Sequence, residues 1–150
     1  MFTAFFVHPP VSFHIDETRI EQILTYISHE MQDRQSGLIH LAFLPDAEIQ
    51  DLNRNHRWID STTDVLSFHY FDDFDKLDPD EVAGEIIFSE SKILSQSGEY
   101  GHTPEDEFYI LLIHSVLHLL GYDHEEEEDF QDMWLHEEKI RKKMNLNTKR

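Results

Sequence analysis

Three histidines at short intervals are the residues of this sequence best suited to chemistry. His114, His118 and His124 lie in the segment HSVLHLLGYDH, which is otherwise rich in leucine. Residues four apart share one face of a helix, so the rings of His114 and His118 should lie side by side, at a distance suited to one metal ion. Gly121 lets the chain reverse and bring His124 toward the same point. Three neutral imidazoles leave a fourth tetrahedral position open for water, as a catalytic zinc site requires.

The composition restricts the ligands of such a site. The chain has no cysteine, which excludes disulfides and thiolate ligands and leaves histidine and carboxylate as the strong ligands for a transition metal. A single histidine in a leucine-rich helix usually has only a structural role, but this triplet with its terminating glycine favours a metal site. We therefore predict one Zn²⁺ per chain, although three imidazoles also accept other divalent ions.

The histidine spacing also occurs in zinc proteases of the metzincin type, whose motif is HExxHxxGxxH. In those enzymes the glutamate after the first histidine takes a proton from the zinc-bound water. Ser115 occupies that position here, and serine has neither the charge nor the basicity for this task. A zinc hydrolase of peptide or amide bonds is therefore the disfavoured alternative, whereas the metal site itself is retained.

The sequence around the histidines predicts the helices that position them. Thr103 is suited to cap a helix, Pro104 to open it, and acidic residues follow in its first turn, so a helix from Pro104 to Leu120 is predicted. A last, charged helix is predicted from about Glu125 to Lys143.

Hydrophobic periodicity and turn residues predict the rest of the chain. Strands are predicted at 2–8, 11–15, 38–44, 64–70 and 82–89, and helices at 17–32, at 46–55 and within 89–101. The strands at 2–8 and 11–15 flank two prolines and are expected to be joined by a turn, whereas those at 64–70 and 82–89 are expected to form a pair around an acidic loop.

Length and charge restrict the class of protein. A chain of 150 residues is the right size for one domain. The N-terminal segment lacks lysine and arginine and is interrupted by prolines, unlike a secretory signal, so a soluble cytoplasmic protein without a membrane partner is expected. The formal net charge of −19 argues against a nucleic-acid partner. However, six of the twelve basic residues fall within 139–150, and Arg54 and Arg57 lie together, so the charge is unevenly distributed.

Three segments resemble the YbeY family of single-strand endoribonucleases that act in ribosomal RNA maturation. HSVLHLLGYDH resembles the family signature, and LNRNHRWIDSTTDVLSF (52–68) and AGEIIFS (83–89) resemble two further family segments. With similar length and element order, the resemblance covers most of the chain. It implies one α+β domain over 1–150, in which a small mixed four-stranded sheet packs with about five helices and the metal site lies on a helix and turn like that of the metzincins.

The resemblance also implies roles for individual residues. Zinc would be bound by His114, His118 and His124, and Arg57 would act in catalysis beside His114, near the substrate phosphate. Phosphodiester cleavage builds negative charge on the phosphoryl oxygens, which a zinc ion and one guanidinium can stabilise without a carboxylate base. Without the family motif, Arg57 would be interpreted as a surface residue paired with a nearby aspartate, a contact worth below about 1 kcal/mol.

Other candidate site residues are less specific. Asp64 and Ser67 are predicted to line the substrate cleft. For Asp64, a local cap or pairing is an equally supported alternative. Asp123 could orient a zinc-bound histidine through a hydrogen bond or could point into solvent.

The family resemblance leads to one main functional hypothesis. The chain is predicted to be a zinc-dependent hydrolase that cleaves single-stranded RNA, with a role in 16S rRNA 3′ end maturation and ribosome quality control. Its expected partners are ribosomal RNA and a small-subunit ribosomal protein. The alternative from a different class is a non-catalytic ribosome assembly factor with a structural zinc, whose fourth ligand would come from Asp123 or His102.

Overall fold

The computed structural model describes residues 2–30, 37–57, 61–70, 78, 80–120 and 127–146, with the side chains of residues 57 and 127–131 excepted. Within these ranges, nine elements follow one another along the chain. They are β1 (Phe2–His8), α1 (Glu17–Glu30), β2 (Gly37–Phe43), α2 (Asp46–Arg57), β3 (Val65–His69), β4 (Val82–Phe88), α3 (Glu90–Tyr100), α4 (Pro104–Leu119) and α5 (Glu127–Lys143).

The four strands form one mixed sheet in the order β1-β2-β4-β3. β2 is parallel to both β1 and β4, whereas β3 is antiparallel to β4. This architecture confirms the predicted α+β class, the four-stranded mixed sheet and the pairing of the strands predicted at 64–70 and 82–89. Apart from the strand predicted at 11–15, the ends of the predicted elements differ from the observed ones by no more than two residues.

The predicted strand at 11–15 is wrong. The backbone N–H groups of Val11 and Ser12 donate to the carboxylate of Glu90, over 2.7 and 3.0 Å, instead of joining a strand ladder. Pro9 and Pro10 before them have no N–H to donate. Residues 11–15 form no strand, and β1 pairs with β2 in parallel instead. The hairpin expected at the prolines is therefore absent from this part of the structure.

The sheet separates two apolar clusters. The larger one packs against α1, α4 and α5, and the smaller one lies beneath α2 and contains Ile49, Leu66 and Ile87. Successive side chains of a strand point to opposite faces, so Ile86 enters the larger cluster and Ile87 the smaller. The inward positions predicted for α2, Ile49 and Leu52, are confirmed.

α4, which carries two of the three histidines, is the most deeply buried helix of the described chain. Every residue from Glu107 to Ile113 is buried, as are residues 115–117 and 119. The predicted start is confirmed, since Pro104 opens the helix and the Thr103 hydroxyl accepts from the backbone N–H of Asp106 at 3.1 Å. No helix in the described ranges is long and apolar enough to cross a bilayer.

Two helix starts are joined beside the sheet. Ser89, the N-cap of α3, donates through its hydroxyl to Asp46, the first residue of α2, over 2.5 Å, and Ser91 donates to the same carboxylate over 2.5 Å. These hydrogen bonds, from Ser89 and then Ser91, lower the pKa of Asp46. The ionised carboxylate therefore holds the N-termini of α2 and α3 together.

Candidate metal centre

The rings of His114 and His118 converge on one side of α4. Their Nε2 atoms lie 3.0 Å apart, and the ring centroids lie 4.5 Å apart with an interplanar angle of 62°. A tetrahedral zinc ion with Zn–N distances of about 2.0–2.1 Å holds two nitrogen ligands about 3.3 Å from each other. The two imidazoles are therefore placed close to the spacing that a shared metal ion requires, as predicted from the interval of four residues.

The other ring nitrogen of His114 has a partner on α5. Nδ1 of His114 is hydrogen-bonded to Oε1 of Glu137, and the Glu137 side chain is only 15% exposed. A carboxylate in this position accepts a hydrogen bond from a protonated Nδ1, and the lone pair of Nε2 is then available for a metal. The two histidines and Glu137 thus form one continuous polar group between α4 and α5.

Sequence reasoning missed Glu137, although α5 carries a signal for it. Met133, Ile140 and Met144 are buried on one face of the helix, and Glu137 lies four residues after the first and three before the second, on that same face. A glutamate on an apolar helix face requires a buried partner. The residue that the sequence analysis considered for this role was Asp123, with exposure to solvent as the alternative.

Several predicted site residues lie outside the described residues. They are the third histidine, His124, together with Gly121 and Asp123, and the side chain of Arg57. In the described ranges, no three histidine or carboxylate side chains surround a common metal position. The assignment of His124 as a ligand and the catalytic role of Arg57 stay predictions.

Gly84 in β4 explains how closely α4 lies over the sheet. A Cβ atom at this position would lie 2.6 Å from the carbonyl oxygen of Phe68 in β3 and 3.1 Å from Leu119 Cδ2 at the end of α4. Only glycine permits this approach. The glycine of the AGEIIFS segment therefore brings the histidine-bearing helix down onto β3 and β4.

Asp64 is engaged by protein groups. Its carboxylate accepts from the Thr63 hydroxyl at 3.3 Å. The Gln96 amide, oriented with its nitrogen toward the carboxylates, donates to Asp64 Oδ2 at 3.2 Å and to Oε1 of Glu107 at 3.0 Å. This is the local pairing that the sequence analysis weighed against a substrate contact. The substrate contact of Asp64 stays a prediction.

Ser67 pairs with Ile86 in the ladder between β3 and β4 and is half-buried.

His102, considered above as a fourth ligand in the assembly-factor hypothesis, has a carboxylate partner. Its Nε2 atom is hydrogen-bonded to Oε2 of Glu107, a residue of α4 that is 0% exposed. Glu107 lies seven residues before His114, or about two helical turns. His102 and Glu107 thus form one hydrogen-bonded group with Gln96 and Asp64 beside the N-terminal half of α4.

Comparison with known proteins assigns the family. Residues 11–145 match the family described as Endoribonuclease YbeY. A protein of that name from Carboxydothermus hydrogenoformans is 41% identical over 133 residues, which cover 88% of this chain and 90% of its own. Another, from Clostridioides difficile, is 43% identical over 110 residues, 72% of each chain. The solution structure of a Thermotoga maritima protein matches with a TM-score of 0.58 at 22% identity, covering 95% of this chain and 92% of its own. This chain belongs to the YbeY endoribonuclease family.

Proposed function

We propose that this protein is a zinc-dependent endoribonuclease that cleaves single-stranded RNA. The convergence of the His114 and His118 Nε2 atoms, 3.0 Å apart, carries the proposal, because it occurs in a chain whose relatives are named endoribonucleases. Two imidazoles whose Nε2 atoms lie this close suit zinc or another ion of similar preference. His124 would complete the ligand set.

The residues of this chain have separable tasks in the proposed reaction. Zinc, when bound, supplies Lewis-acid stabilisation of the negative charge that develops on the phosphoryl oxygens. His114 and His118 hold it through Nε2, and the Arg57 guanidinium binds the scissile phosphate and neutralises part of the same charge. Arg57 closes α2, which packs across β3 and β4.

Peptide hydrolysis remains the disfavoured alternative. Ser115, which replaces the glutamate of the metzincin motif, is buried, with 1% of its surface exposed. A side chain in that position cannot take a proton from water at the metal. RNA cleavage needs no carboxylate at this position, because the charge on the phosphate is stabilised electrostatically.

The proposed substrate is ribosomal RNA within a ribosomal particle. The formal net charge of −19 opposes the capture of free RNA, so a ribosomal protein partner that presents the strand would compensate for it. The specific proposal is cleavage during 16S rRNA 3′ end maturation and ribosome quality control, in the cytoplasm.

The experiment is cleavage of a labelled single-stranded RNA by the zinc-loaded protein, with a duplex of the same sequence and casein as comparison substrates. We expect cleavage of the single strand alone and loss of activity on treatment with a chelator. His118→Ala should lose both zinc and activity, because two ligands hold a metal much more weakly than three. Bound zinc without any cleavage of RNA would instead favour the assembly-factor hypothesis, and cleavage of casein would favour a peptide hydrolase.

A further inference from the structure

We propose that Glu137 is a positioning residue of the metal centre, which holds the His114 ring with Nε2 directed at the ion. The inference rests on the proposed function only in that it requires a metal at the two histidines. It assigns to α5 a part in metal binding, through a residue that would not itself touch the ion. The hydrogen bond between Glu137 Oε1 and His114 Nδ1 carries it.

The packing of α5 fixes the position of Glu137. Met133 and Ile140, four residues before it and three after it, are each 0% exposed and belong to the larger core cluster. Glu137 lies on the same face of α5 as these two residues, and α5 packs against α1 and α4. Glu137 therefore reaches His114 from a packed helix face. Folding already orders its side chain, so metal binding does not have to pay that entropy cost.

Other ion pairs of α5 in the described ranges differ from this contact. Glu138 pairs with Lys142 on the helix surface at 3.4 Å, where the lysine side chain is 76% exposed. His136 and Lys139 pair with Glu30 of α1 at 3.1 and 3.2 Å. The first of these pairs lies within α5 and the others join α5 to α1, whereas the Glu137 contact ends on a histidine whose second nitrogen faces another histidine.

The chemistry of imidazole explains why this contact matters for a metal. A neutral imidazole carries one proton, and a carboxylate at Nδ1 requires that the proton be there. The lone pair of Nε2 is then available, and the hydrogen bond makes it a stronger donor to the ion. Without Glu137 the proton on Nδ1 loses its acceptor, so a fraction of the molecules would carry the proton on Nε2 and have an incompetent ligand.

The test compares the zinc affinities of the wild type and of variants. Each zinc-loaded protein is titrated with a competing chelator. Glu137→Ala and Glu137→Gln are compared with Glu138→Gln, which changes the neighbouring surface glutamate. We expect Glu137→Ala to weaken zinc binding by about 10–100-fold, the usual effect of losing such a partner. Glu137→Gln should have a smaller effect, because the amide oxygen still accepts from Nδ1, and Glu138→Gln should bind zinc as the wild type does.

Thermal unfolding of the metal-free variants separates positioning from folding. Glu137→Gln preserves the size of the side chain, so it keeps the test valid if Glu137→Ala fails to fold. Wild-type zinc affinity in both Glu137 variants would overturn the inference, even if the protein cleaves RNA. Weakened zinc binding in a protein that cleaves no RNA would support the inference and count against the proposed nuclease. A wild-type chain that binds no zinc would overturn both.

Discussion

At the scale of single residues, His114 is constrained at both ring nitrogens. The interval of four residues was enough to predict that its ring lies beside that of His118, because this relation is local to one helix. Its contact with Glu137 spans 23 positions and depends on how α5 packs against α4. Sequence spacing alone could not reveal this contact. The available signal for Glu137 was an acidic residue on the face of α5 that carries the buried methionines and isoleucine.

Arg57 should be separable from the metal ligands by substitution. Arg57→Ala is expected to retain zinc and to lower the rate of RNA cleavage by about 100-fold or more, the usual effect of removing one charge-stabilising group from a reaction centre. Arg54→Ala is the matched control, because Arg54 lies three residues earlier on α2 and forms an exposed pair with Asp51 at 2.8 Å. Single-turnover cleavage rates and zinc content check both variants, and equal rates for Arg57→Ala and the wild type would refute the proposed role.

At the scale of elements, the site depends on how helices lie against the sheet. Apolar residues at helical spacing predicted α1 and α2, whereas the start signals Thr103 and Pro104 predicted α4. The segment 11–15 was predicted as a strand because its composition suits one, but Glu90, almost 80 positions away, takes its N–H groups. Such long-range partners override local preference.

The close packing of α4 on β4 should make Gly84 sensitive to substitution. Gly84→Ala places a methyl group 2.6 Å from the backbone oxygen of Phe68, so β3 or α4 must move. We expect the free energy of unfolding to fall by about 1–3 kcal/mol, as for other overpacked positions. Urea unfolding measures the change.

Gly98→Ala provides the control for this prediction. Gly98 lies within α3, and a Cβ atom there would meet nothing within 4 Å. Because alanine is favoured over glycine inside a helix, this variant should gain up to about 1 kcal/mol of stability. Equal effects of the two substitutions would mean that the contact between Gly84, Phe68 and α4 does not control stability.

At the scale of the whole molecule, length and composition predicted one folded domain, but neither its α+β class nor its recruitment of RNA. The resemblance to the family gave the sheet and the number of helices, whereas the net charge, taken alone, argued against a nucleic-acid substrate. The charge is uneven, since the last turn of α5 carries Arg141, Lys142 and Lys143. A locally basic surface on an acidic protein can bind RNA while most of the surface repels it.

This distribution of charge predicts opposite effects of salt on stability and on cleavage. The formal net charge of −19 means that like charges repel one another in the folded chain, and salt screens that repulsion, so the unfolding temperature should rise with added potassium chloride. The rate of cleavage of a free RNA strand should fall with added salt. Each contact between a phosphate and a basic side chain releases counterions on binding, and a higher salt concentration opposes that release. Thermal unfolding and initial cleavage rates over one series of salt concentrations test both effects. A cleavage rate that is independent of salt, with an unfolding temperature that rises, would mean that few basic side chains contact the RNA. The basic last turn of α5 would then have no part in binding it.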